Sequence, residues 1–215
     1  MIPSRSSQSL APNKLAGLRY AGVIVAIGLV WGGLTSLGQT YLPTPYIQAA
    51  NSFSVWLLAA FLVGLLATSV WRAVIGGLVT LILADVAFYL GMYLQFGVIG
   101  SWAGDSYMLL GVTIFGPVLG IAGLLVRFQT RWQVPAIAIV AGLFLSEALY
   151  RFFLDSGAEK GFSESWWIFL VLGVASAILM LRRIRTAPIQ FLSVIPITAA
   201  YYFGLTVAVP FILSY

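Results

Sequence analysis

Long apolar runs separated by short polar breaks dominate the chain. The run Ala73 to Phe96, AVIGGLVTLILADVAFYLGMYLQF, is long enough to cross a hydrocarbon core of about 30 Å as a helix rising about 1.5 Å per residue. Six further runs have the same character: Leu18–Gln39, Phe53–Val70, Tyr107–Val126, Val134–Phe153, Trp166–Leu181 and Pro188–Leu213. The breaks have physical causes. Pro43 and Pro45 stop the first run, because proline lacks an N–H and restricts the residue before it. Asn51 and Ser52 open the second, with Asn51 read as a helix N-cap and Tyr46 to Ala50 as lying along the interface. Trp71 and Arg72 close the second run so near the start of the third that the two are expected to be antiparallel neighbours. Residues 1–17 are polar and are read as a disordered cytoplasmic tail, ahead of one helical transmembrane domain over 18–215.

The runs are continuous rather than alternating, so the expected class is all-α, a transmembrane helix bundle of seven spans, not a barrel. Composition agrees: 61% of the 215 residues are hydrophobic and 8% are charged. A soluble domain of this size cannot hide so much apolar surface. The mean hydropathy is +1.02. The chain has neither cysteine nor histidine. That removes thiolate and imidazole metal sites, disulfides and histidine-dependent nucleophile systems. No cofactor, metal or catalytic residue is assigned, and an enzyme is not expected.

The net charge of +5 is a matter of topology. Arg5, Lys14, Arg19, Arg72, Arg127, Arg131, Arg182, Arg183 and Arg185 fall on one side of the seven-span arrangement, nine of the eleven basic residues. Arg151 and Lys160 fall on the other, with Asp105, Asp155, Glu159 and Glu164. The positive-inside rule then places the N-terminus in the cytoplasm and the C-terminus outside, in a multi-pass protein of the plasma membrane. The arginines abut a span and no aromatic platform accompanies them, so nucleic acid is excluded as a partner.

Asp85 is the first candidate for chemistry. It lies inside an apolar span, where a carboxylate costs roughly 2.5–3.5 kcal/mol on insertion scales. Tyr89 and Tyr93 follow at one-turn intervals on the same face. Glu147 lies in the outer half of the fifth span with Arg151 four residues on, the favourable order for a helical ion pair, and the pair is expected to be partly wet and near the surface. Gln39, Asn51, Tyr93, Gln95, Glu147 and Arg151 all lie toward the outer leaflet, with Asp85 deeper, and are expected to converge on one outward-facing pocket. The candidate ligand-binding residues are Asp85, Tyr89, Tyr93, Glu147 and Gln39. Two acids suit a proton, a cation or a cationic organic ligand, with aromatic faces adding about 0.5–2 kcal/mol of cation–π attraction. The competing expectation is that these groups tie helices together and that the protein is a structural or assembly partner. Gly28-x-x-x-Gly32 is a small-residue pattern that would let a membrane-protein partner approach closely; an acid pair doing intramembrane catalysis is a third and weaker expectation.

Two resemblances bear on this. Thr35-x-x-x-Gln39-x-x-Leu42-Pro43, followed by Asn51-Ser52-x-x-x-Trp56 and the alanine- and glycine-rich second run, resembles an uncharacterised bacterial domain-of-unknown-function family of small polytopic membrane proteins. That resemblance covers most of the chain and implies no activity or site. In architecture the chain is also similar to the substrate-binding subunits of energy-coupling-factor vitamin transporters, whose first helix meets a membrane partner through small residues. The seventh run and external C-terminus depart from their six-helix pattern, which leaves an analogy of fold alone.

Overall fold

In a computed structural model, the described residues are 14–50, 52–97, 102–129, 132–153, 165–183 and 194–203, with side chains described outside 14, 102–110 and 179–183. They form eight helices: α1 Lys14–Tyr41, α2 Tyr46–Ala50, α3 Phe53–Leu66, α4 Val70–Phe96, α5 Trp102–Arg127, α6 Gln133–Phe153, α7 Trp166–Arg183 and α8 Val194–Phe203. The all-α expectation holds for these residues, and each apolar run corresponds to one of the seven longer helices. Among the described residues, three helices are long and apolar enough to cross a membrane: Leu15–Tyr41, Val70–Phe96 and Gln133–Phe153. Phe53–Leu66, Gly111–Arg127, Trp166–Ile178 and Val194–Phe203 are shorter apolar stretches. Helix α1 begins at Lys14, so the last four residues assigned to the tail are helical. Asn51 lies outside the described residues; the N-cap of α3 is Ser52, whose hydroxyl accepts the Val55 N–H.

Packing follows the small residues. α1 and α4 run parallel, because successive turns of one meet successive turns of the other. A Cβ on Gly28 would press on Thr80 and Leu83, one on Gly32 would overlap the Ala84 carbonyl, and Ser36 sits against Gly91. The Gly28–Gly32 stripe is therefore filled by α4 within the same chain. A second junction joins α3, α4 and α5. A Cβ on Gly64 would overlap the Gly120 carbonyl, one on Gly77 the Gly116 carbonyl, and one on Gly120 the Ala73 carbonyl. Only glycine lets three backbones approach this closely, and in a bilayer such contact supplies dispersion that lipid cannot. α5 continues through Pro117.

α3 is the centre of the bundle, with Trp56, Leu57, Ala59, Ala60 and Val63 all buried. It is also short. Its 14 residues span about 21 Å, against about 40 Å for the 27 residues of α4. Only Ala67 to Ser69 separate the two, so α3 ends at the end of the bundle where α4 starts. The N-terminal turn of α3 consequently stops inside the bundle, far from the outer end of α4. That turn has N–H groups with no intrahelical partner, and the interior must supply acceptors for them.

Candidate functional site

The acceptor comes from α6. Glu147 Oε2 accepts the Ser54 backbone N–H at 3.2 Å and the Ser52 hydroxyl at 2.7 Å, and it also accepts the Ser54 hydroxyl. A carboxylate at a helix N-terminus is favoured by the unpaired N–H groups and the helix dipole together. The second oxygen, Oε1, accepts from Arg151 Nη2 at 2.6 Å and from Arg151 Nε at 3.2 Å. Arg151 donates further, from Nη1 to the Ser165 hydroxyl at 3.0 Å and from Nη2 to the Gln48 carbonyl at 3.4 Å. Its guanidinium lies 4.5 Å from the centroid of the Phe169 ring. One ion pair thus ties α2, α3, α6 and the start of α7 together.

The Glu147–Arg151 pair is present as the i,i+4 spacing predicts, but it is not wet. Glu147 is 4% exposed and Arg151 3%. The expectation of a partly wet pair is corrected. The spacing sees only α6, whereas burial is imposed by α2, α3 and α7 closing over it. Sequence reading also missed Ser54, Ser165, Phe169 and the Gln48 carbonyl. Ser52 alone carried a local signal, as a capping residue ahead of an apolar run. Nothing local announces that its partner stands 95 residues away.

Asp85 lies in α4. It is 9% exposed and lies one turn beyond Leu81, a residue of the main apolar core. Tyr89, half-buried, meets Phe88 edge-on at 5.4 Å, and Phe88 meets Trp56 edge-on at 5.4 Å. Tyr93 is 50% exposed. Across the seam, Gln95 Nε2 donates to the Ser36 hydroxyl at 2.9 Å, and Gln39 is half-buried three residues further along α1. Asp85, Tyr89, Tyr93 and Gln39 therefore belong to the α1–α4 half of the bundle, and Glu147 belongs to α6. Trp56 and Ser54, two residues apart, face nearly opposite ways from α3, one toward Phe88 and one toward Glu147. The expected convergent set is thus divided between two helices, α4 with the facing α1 on one hand and α6 on the other.

Other buried polar atoms lie near both places. Among the described residues, Trp56 Nε1, Thr80 Oγ1 and Gln95 Oε1 find no hydrogen-bond partner, and the same holds for Tyr201 OH. The Tyr201 ring stacks on Phe53 at 6.2 Å and meets Phe115 edge-on at 6.3 Å. Among the described residues, no three histidine, cysteine, aspartate or glutamate side chains gather as a metal site.

A bundle of long apolar helices, closed by glycine contacts and holding a buried ion pair, defines a membrane protein. The family model for the family of unknown function DUF6518 matches residues 11–210, and the chain belongs to that family. No curated protein and no solved structure matches it, so the similarity to energy-coupling-factor subunits gains no support.

Proposed function

We propose that this is a seven-span protein of the bacterial plasma membrane, with its N-terminus in the cytoplasm and its C-terminus outside, that binds or transports a small cationic or proton-coupled ligand at Asp85. The observation that carries the reading is a gradient along one face of α4. A buried carboxylate is followed, at one-turn intervals, by half-buried Tyr89 and half-exposed Tyr93. An ionisable group inside a spanning helix marks a proton, ion or ligand path by default. The buried Trp56 Nε1, Thr80 Oγ1 and Gln95 Oε1 add support, since polar atoms of this kind take up water or ligand. Glu147 plays a different part in this reading: both its oxygens are engaged by the protein, and it holds the first turn of α3 in place.

The test is infrared difference spectroscopy on reconstituted protein while the pH outside is changed. A carboxylic-acid C=O band that titrates in the wild type and vanishes in Asp85→Asn is the expected result. A band that ignores external pH, together with unchanged binding of the cation tetraphenylphosphonium in Asp85→Asn, overturns the reading.

A second reading, an assembly partner, is favoured by the outer face of α1. Gly22 and Ala26 are exposed there, and a Cβ on Gly22 or Gly33 would meet no described atom within 4 Å. Close packing by another helix needs such a face, and Gly28 and Gly32, already against α4, do not provide it. Cross-linking through Gly22→Cys tests this reading; a monomer with no cross-linked partner in native membranes rejects it.

A further inference from the structure

The end of the bundle opposite the ion pair carries two adjoining clefts. One, about 390 Å³, opens between the starts of α1 and α4 and is lined by Arg19, Tyr20, Val23, Leu66, Thr68 and Arg72 among others. The other, about 240 Å³, lies on the far side of Tyr20 and is almost wholly apolar, with Ile24, Trp71, Ile75 and Gly76 in its wall. Tyr20 and Arg72 belong to both. Tyr20 is fixed between them by donating its hydroxyl to the Arg72 carbonyl at 3.0 Å and the Val63 carbonyl at 3.3 Å. Arg72 is oriented by an Nη1 bond of 2.7 Å to the Thr68 hydroxyl. Arg19 is exposed beside it.

The chemistry of this place is one-sided. The clefts have two guanidinium groups and a hydroxyl at the rim, and no carboxylate lines either of them. The carboxylates with described side chains are Asp85 and Glu147. Asp85 is 13 residues along α4 from Arg72, about 20 Å away along the helix axis. Below the rim the walls become apolar and the flanking apolar residues are exposed: Trp71 is 73% exposed and Ile75 53%. An arginine pair would be drawn to a phosphate, and basic pockets between helices at the membrane surface hold anionic head groups. A soluble anion would have no use for the two apolar grooves that straddle Tyr20, whereas a two-chain lipid would fill both.

We infer that Arg19 and Arg72 form a binding site for the head-group phosphate of an anionic phospholipid, with its acyl chains laid in the grooves on either side of Tyr20. The site is independent of Asp85 and of any ligand there.

The test is native mass spectrometry of the full chain in detergent with phosphatidylglycerol or phosphatidylcholine added. The wild type retains phosphatidylglycerol in preference to phosphatidylcholine, and Arg19→Gln lowers that preference about fivefold, the factor that corresponds to roughly 1 kcal/mol per basic residue at a membrane surface. Arg19→Gln and Arg72→Gln together abolish it, and Arg72→Lys keeps part of it. Arg19 is exposed, so Arg19→Gln decides the matter alone if the double variant does not fold. Equal retention of the two lipids by the wild type overturns the inference. So does a preference unchanged in Arg19→Gln. Displacement of the lipid by inorganic phosphate assigns the site to a free anion and overturns it too.

Discussion

Glu147 Oε1 accepts two N–H groups of Arg151, at 2.6 and 3.2 Å, while its other oxygen closes the N-terminus of α3. One carboxylate therefore satisfies a buried cation and a helix end that stops inside the bundle. Removing either partner leaves an uncompensated buried charge, whereas replacing both removes the problem.

Glu147→Leu or Arg151→Met alone is expected to destabilise the protein by about 3–5 kcal/mol. The Glu147→Leu, Arg151→Met double variant should recover most of the loss on the Arg151 side, but not the capping of Ser54. Thermal unfolding in detergent, followed as the fraction of monodisperse protein, gives the double-mutant cycle. A double variant as unstable as the sum of the two singles would show that the pair is not coupled.

The two stripes of small residues on α1 are expected to respond oppositely. Gly32→Val pushes a side chain into the Ala84 carbonyl and should cost about 1–3 kcal/mol or prevent folding, since overpacked contacts relax only by moving backbone. A Cβ on Gly22 meets no described atom within 4 Å, so Gly22→Val should leave stability unchanged or slightly improved. Comparable thermal shifts for the two variants would contradict the α1–α4 packing.

Arg127 closes the other end of α3, donating from Nη1 to the Leu66 carbonyl at 2.6 Å and the Ala67 carbonyl at 3.0 Å. Because this contact is largely exposed, Arg127→Ala should cost only about 0.5–1.5 kcal/mol. Hydrogen exchange should show the loss confined to the α3–α4 turn. Exchange that rises equally at Ser52 to Trp56 would mean that the cap acts globally.

The absence of cysteine makes the orientation directly testable. Thr44 and Thr68 are exposed and lie in the turns at opposite ends of the bundle. In intact cells a membrane-impermeant maleimide should label Thr44→Cys and spare Thr68→Cys. The reverse pattern would invert the positive-inside assignment.

The sequence by itself determined the helices and the medium. Apolar runs interrupted by Pro43, Trp71–Arg72 and Arg127 can satisfy their backbone in lipid only as helices, and the observed elements match those runs. The Glu147–Arg151 pair was also legible, because i,i+4 spacing is a property of one helix. What lies between helices was not. That Gly28 and Gly32 meet α4, that Glu147 meets the first turn of α3, and that Arg19 and Arg72 border one cleft all depend on residues far apart in the chain. The length of α3 shows why: an apolar run reveals that a helix forms, but only its neighbours decide where that helix stops and which carboxylate meets its first N–H groups.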